Sequence, residues 1–395
     1  MRQGVQGVTL RQLEEERGVA LIIALLVLTF LSVMGSAFLL LATTEGTLAM
    51  NERRTTAALS LAEAGAEAAW QQIRSVNSTA ELTTLFAAAI TSNLGGGTYT
   101  VQFSNDPGDP GGANDTNGTV IVISTGTVEG VSQVVEMAVS RFFVPLPPSA
   151  VGLPGNEANS SFSGNAFKID GHDTNPDDTP GSDPVRPGIS VPNAARKNEV
   201  TSALQPFQYD NVDGLGMAPG QSPSVTIDNS LTSAQVTNLA NQLAQFCPTV
   251  TVVNGQQNYS FGTYASGTSW GTPTNPGIFC FEGAVAGNAQ VKITGNSQGA
   301  GILIAKNADL VFAGNVRWEG LIIVTGDLVG FGIMGGGNQY VYGGILINET
   351  SADGPGFREE VFAGNAKVRF SRKALENAGR SKNLYRVLYY SQRTA

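Results

Sequence analysis

One histidine, His172, and two cysteines, Cys247 and Cys280, are the chain's whole supply of imidazole and thiol. A Cys/His zinc site needs more ligands than these. The sequence holds no Gly-x-Ser-x-Gly elbow, phosphate-binding loop or His/Cys metal spacing, and His172 lies in an acidic turn, GHDTNPDDTPGSDP, residues 171–184. Carboxylates remain. Asp106, Asp109 and Asp115 stand in a turn-rich segment, NDPGDPGGANDTNG, residues 105–118. Hard oxygen ligands of this kind can hold Ca²⁺, but the same residue types also form solvated turns without an ion. Asp173, Asn175 and Asp177 have the first spacings of a calcium loop, without its glycine at the sixth position or its glutamate at the twelfth. Glu282, Asp309, Arg317, Glu319 and Asp327 could be recruited to a carbohydrate-active face, yet as single residues at strand ends they read more simply as surface groups. The expectation is a protein that is not an enzyme and holds no cofactor or metal, with calcium as the one alternative left open.

The elements that carry these residues begin with an apolar run. Val19 to Ala42 reads VALIIALLVLTFLSVMGSAFLLLA, with no charge, and includes Ile23 and Gly35. As a helix it spans the roughly 30 Å hydrocarbon core of a bilayer with some tilt. Residues 1–18 precede it and end in Glu14, Glu15, Glu16, Arg17 and Gly18. An ordinary secretory signal has a shorter apolar stretch with a small-x-small cleavage site after it. Here the small residue, Gly18, comes before the run, and a cut after it would leave Val19 as the new N-terminus with the apolar helix retained. The pattern then continues without proline to Ser75, with Leu48, Ala58, Leu59, Ala62, Ala66, Ala69, Trp70 and Ile73 at three- and four-residue steps. Residues 19–75 as one helix would be about 85 Å long, with Gly35 and Gly46 as its weak points.

Residues 97–143 alternate as a small antiparallel sheet, with strands around 99–103, 120–124 and 134–139. Val144 to Ser149, with Pro145, Pro147 and Pro148, reads as a stiff linker. Residues 150–395 form a second, β-rich part that carries a repeat. Gly164-Asn165, Gly287-Asn288, Gly314-Asn315 and Gly364-Asn365 recur in similar phrases, with Gly337-Asn338 as a degenerate copy. They interleave with Gly301-Ile302-Leu303-Ile304, Gly320-Leu321-Ile322-Ile323 and Gly344-Ile345-Leu346-Ile347. Alternation of this kind predicts stacked coils, a short β-solenoid over about 281–372, with a sandwich of hairpins as the alternative. Glycine permits a left-handed corner and asparagine can stack there in a hydrogen-bonded ladder. The fold class is thus α+β. Ser233 to Phe246 reads as an amphipathic helix and the tail near 384–390 as a final strand.

The two cysteines, in a chain whose apolar segment points to export, read as one disulfide closing a loop of roughly 30 residues, two buried thiols being the alternative. The net charge is −9. The one basic cluster, Arg372, Lys373, Arg380, Lys382 and Arg386, reads as a solvated face, so no nucleic-acid partner is expected.

Residues 17–75 resemble the N-terminal domain of PilX-type minor pilins of type IV pilus systems. The resemblance rests on the Arg17-Gly18 junction, the VALIIALLVL opening, Met50-Asn51-Glu52-Arg53, and Ala62-Glu63-Ala64-Gly65. It implies cleavage after Gly18 by a prepilin peptidase, methylation of Val19, and a pilin-like head formed by the sheet on the helix. Ile23 stands where major pilins carry a glutamate, which favours a minor subunit. The implied partners are other pilins, the assembly platform and the cytoplasmic membrane. The implied location is the bacterial inner membrane, single-pass, then the pilus or cell surface, where a glycan or other cell-surface ligand could be met. A pseudopilin of a type II secretion system and a membrane-anchored carbohydrate-active protein are the alternative readings.

Overall fold

The computed structural model describes residues 7–109, 114–155, 159–350 and 360–394. Helix Gly7–Ser75 is continuous across Gly35 and Gly46 and reaches back into the leader. Its last third packs on a five-stranded antiparallel sheet. In spatial order the strands are Ala89–Leu94, Gly97–Asn105, Thr119–Val128, Val131–Arg141 and Tyr385–Thr394. Two-residue turns close the first and third hairpins. Gly95-Gly96 and Glu129-Gly130 all have positive φ, the conformation that matches the right-handed twist of paired strands. Val101, Phe103, Val120, Val122, Val135, Met137 and Val139 alternate onto one face and bury Ala58, Ala62, Ala66, Ala69 and Ile73 of the helix.

The fifth strand changes the domain division expected from the sequence. Residues 150–395 do not form a separate C-terminal unit, because Tyr385–Thr394 pairs antiparallel with Val131–Arg141 and closes the head sheet. The β-rich part is an insertion between the fourth and fifth head strands. Phe142 N–H donates to Leu384 C=O (2.9 Å), so the chain leaves and returns at neighbouring points. The expected linker is packed: Pro147 lies against Gly344, and its carbonyl accepts a bond from Arg186 (3.1 Å).

The insertion is a stack of coils paired in parallel. Val250–Val253, Gly277–Gly283, Asn296–Lys306, Asn315–Gly326 and Asn338–Glu349 form one sheet. Gly255–Tyr259, Ala289–Ile293, Asp309–Phe312, Phe331–Ile333 and Glu360–Ala363 form the other. Beyond residue 370 the stack continues with an earlier part of the chain. Val151–Gly152 pairs with Ile345–Leu346, Ser160–Ser163 with Glu360–Ala363, and Lys168–Asp170 with Lys367–Arg369. Ile189–Val191, Val212–Asp213 and Val225–Ile227 extend it further. The coils therefore run through residues 250–370 and then 151–227, a wider span than the expected 281–372. Helix Ser233–Ala244 carries the chain back between the two ends, covering the long strands with Val236, Leu239, Ala240 and Leu243. Helix Arg372–Ala378 covers them beside it. With the coil interior on one face and these helices on the other, the Gly-Ile-Leu-Ile phrases are buried, and apolar, on both faces.

One column of corners tolerates only glycine. Gly301, Gly320 and Gly343 are in register with one another and have φ between 129° and 138°. A Cβ on any of them would lie closer than 3.0 Å to a carbonyl oxygen of the preceding coil. Here the long strands bend: the first half of Asn338–Glu349 pairs with Asn365–Phe370, the second with Val151–Gly152.

Candidate functional site

The first candidate surface is the stem. Every residue from Val19 to Arg53 is exposed, including Ile23 at 57% and Leu40 at 71%. The hydroxyls of Thr29, Ser36 and Thr44 need no water, because they donate to carbonyls three or four residues upstream, at 2.7–2.9 Å. Among the described residues this is the one helix long and apolar enough to cross a membrane. Gly18 and Val19 lie inside it, and Ala42 stands within the exposed stretch; residues 1–6 of the leader fall outside the described residues.

Where the stem meets the head, the signature residues set the approach. Ala62 is fully buried, and a Cβ on the facing Gly126 would meet its backbone. A Cβ on Gly65 would strike Ser124, Tyr99 and Val101. Ala64 is half-buried and Glu63 exposed, within 3.4 Å of Gln392 on the last strand. Small residues at 62 and 65 thus let helix and sheet backbones come close.

Arg141, which nothing in the sequence singled out, ties three parts together. Its guanidinium donates to the Ile73 carbonyl (2.7 Å) and to the Val76 carbonyl at the end of the stem. It also reaches Gly379 C=O (3.3 Å) and lies over the rings of Phe143 and Tyr385. Burial pushes its pKa down, and the negative end of the stem helix favours a cation at this point. The sequence signal was slight: one arginine at the end of a strand that alternates apolar and polar residues.

The second candidate surface is the outer edge of the coils. Asn296, Asn315, Asn338 and Asn365 occupy one register column, and all four are exposed. Asn315 Nδ2 donates to Asn296 Oδ1 (2.9 Å), and Asn338 N–H donates to Asn315 Oδ1 (2.9 Å). The next outward column is Gln298, Arg317, Tyr340, Lys367 and Lys168. A groove of about 420 Å³ runs over Asn296, Asn315 and Asn338 of the first column and Gln298, Arg317 and Tyr340 of the second. Its aromatic wall is Tyr340, stacked nearly parallel on Tyr342 (6.3 Å, 7°), with Lys367 over the Tyr340 ring (5.3 Å). Arg317 lies over Tyr342 (4.6 Å) and donates to Glu319 (2.8 Å).

The predicted corners distribute unevenly. Gly314, Gly337, Gly364 and Gly164 all have positive φ and follow short strands at the same corner, and Asn165 accepts a bond from Asn211 (3.1 Å). Gly287-Asn288 is a correction. It precedes its short strand, where Gly287 faces Leu328, and the ladder position it was expected to fill belongs to Gly295-Asn296. The phrase around Gly295 lacks the small residue that marks the other copies, so the match went to the wrong corner.

Asp177, Arg317 and Glu319 line one cleft; the remaining candidates do not converge. Arg317 and Glu319 are paired. Asp309 accepts from Gly330 N–H (2.8 Å), Asp327 from Thr350 (3.2 Å), and Glu282 lies 3.6 Å from Lys306. Asp106 accepts from Gly108 N–H, Asp109 from Thr116 N–H, and Asp115 from Gly118 and Thr119 N–H. Asp173 accepts backbone bonds from Asp183 and Arg372, and Asp177 from Thr179. Among the described residues, the His/Cys/carboxylate group whose ligand atoms fall within 4.8 Å of one another is Asp170, His172 and Asp213. Asp213 already holds Lys168 (2.9 Å). Of the basic cluster, Arg372 pairs with Asp183 and Glu376, while Arg386 packs over Phe246. Cys247 and Cys280 are joined in a disulfide that fastens the end of helix Ser233–Ala244 to strand Gly277–Gly283.

No family model matches the chain, and no curated protein matches it. Among solved structures it is similar to the crystal structure of the competence-associated pilin ComZ from Thermus thermophilus. The identity is 13% and the TM-score 0.25, over 87% of this chain and 98% of that one.

Proposed function

We propose that the protein is a minor pilin or pilin-like structural subunit of a type IV pilus system. The observation that carries this reading is the stem, a single helix exposed and apolar from Val19 to Ala42 and packed by one face on the head through its last third. Such a helix can reside in a membrane and later exchange lipid for neighbouring helices of the same kind, because both environments satisfy the same apolar surface. Prepilin peptidase would cut after Gly18 and leave Val19 as the methylated N-terminus. Ile23, apolar and exposed, offers no carboxylate to align an incoming subunit, in keeping with a minor role in priming or at a filament end. The coil stack would then be displayed outside the cell as an adhesive surface.

The test is the intact mass of the protein recovered from sheared surface filaments and from membranes. The expected product starts at Val19 and carries one added methyl group, and Gly18→Val blocks its formation. Recovery of the wild-type chain with residues 1–18 still attached refutes the reading.

A further inference from the structure

We infer that the groove over the asparagine ladder binds a neutral polysaccharide. The inference deepens the display reading above, and rests on it only for the groove facing the outside of the cell. Its lining is suited to hydroxyl-rich, uncharged chains. Asn296 and Asn338 line it and are exposed, the Asn338 side-chain amide has no bond to another described residue, and exposed Asn365 continues the column beyond the groove. Each amide offers donors and an acceptor, repeated at the spacing of the coils, about 4.8 Å. A regular ladder of this kind suits a ligand that is itself a linear repeat.

Tyr340 supplies the complementary surface. Its ring is half-buried, lines the groove and is held in place by Tyr342 (6.3 Å) and Lys367 (5.3 Å). A rigid aromatic face beside a row of amides receives the apolar face of a sugar ring while the amides take the hydroxyls, and little side-chain freedom is lost on binding.

Charge decides against an anionic ligand. Arg317 is neutralised by Glu319, Lys168 by Asp213 and Arg369 by Asp178. Lys367 alone in these columns has no carboxylate partner among the described residues, and it is engaged with Tyr340. Binding a nucleic acid or an acidic polysaccharide would call for several unpaired cations, and the chain as a whole carries −9.

The experiment uses the full chain in detergent, with fluorescence titration of cellohexaose, maltohexaose and the hexamer of N-acetylglucosamine. A twelve-residue oligo-dT and a hexamer of galacturonic acid serve as anionic probes. At least one neutral hexamer is expected to bind, with little response to salt between low and physiological ionic strength. Tyr340→Ala should weaken it about tenfold or more, as loss of a central aromatic contact does, while Tyr340→Phe retains it. Asn338→Asp, at an exposed position, gives an independent reading should Tyr340→Ala melt early, and should also weaken binding. The proposal is overturned if no neutral hexamer binds, if binding is indifferent to both Tyr340→Ala and Asn338→Asp, or if an anionic probe alone binds. A negative result leaves the N-terminal mass test untouched, so failure of this inference and failure of the pilin reading are distinguishable.

Discussion

Gly320→Ala is the sharpest perturbation the coils allow. At φ 138° an alanine enters a region that L side chains rarely adopt, and its Cβ would press on Gly301 C=O and lie 3.0 Å from the Ala378 Cβ. Strain at such a backbone costs about 1–3 kcal/mol, and overpacking against unyielding neighbours about 1–3 kcal/mol more. Together these amount to about 2–6 kcal/mol, a large part of the roughly 5–15 kcal/mol that separates folded from unfolded domains. For a unit of this size, at about 2–4 °C per kcal/mol, that is a fall in melting temperature of about 4–24 °C. Circular dichroism of the full chain in detergent reads it directly. Gly130→Ala is the control, since Gly130 has φ 83° and a methyl group there would meet nothing within 4 Å; it should show the strain part alone. Adding Ala378→Gly to Gly320→Ala should restore little, because the harder contact is with backbone. Were Gly320→Ala to melt within about 2 °C of wild type, the claim that this column is sterically closed would be wrong.

Arg141→Met removes the donors that hold the last carbonyls of the stem; it should cost about 2–4 kcal/mol and raise amide exchange near the end of that helix. Replacing Cys247 and Cys280 together by serine should cost about 3–4 kcal/mol by freeing the loop in the unfolded chain, measured by denaturant unfolding with and without reductant. Asp183 gives a pH signature. Burial pushes its carboxyl up, but Arg186 and Arg372 more than offset this and hold it below the usual carboxylate range. A depressed folded pKa means the stabilisation is present above the unfolded value near 3.9 and is lost as pH falls through the folded one. Asp183→Asn should therefore melt lower than wild type at pH 7, with the gap closing as the pH is brought down toward the folded pKa.

Local physics made the stem and most of the head readable from sequence. A charge-free run followed by three- and four-residue apolar steps has one good solution, and alternation placed strands near 99–103, 120–124 and 134–139. The Ala89–Leu94 strand escaped because it is an exposed edge with no alternation to read. The coil corners were legible as Gly-Asn phrases, since positive φ selects glycine whatever the partner. What those phrases could not say was which coil stacks on which. Gly287-Asn288 and Gly295-Asn296 look alike as dipeptides and occupy different corners, and only register separates them. Tyr340 gave no signal for the same reason: its partners Arg317 and Lys367 are neighbours only across coils.

The division into head and C-terminal domain failed on a long-range contact, and the contact has consequences for how the molecule holds its load. A domain joined by one proline-rich segment would swing. Here Phe142 and Leu384 are bonded where the chain leaves and returns, Arg141 reaches Gly379, and Arg74 reaches the Arg380 carbonyl (3.4 Å). The same short region closes the head sheet, caps the stem and anchors helix Arg372–Ala378, which lies on the glycine column of the coils. Stem, head and stack therefore share one junction. A force on the coil face reaches the stem through paired strands and buried hydrogen bonds rather than through a single flexible tether.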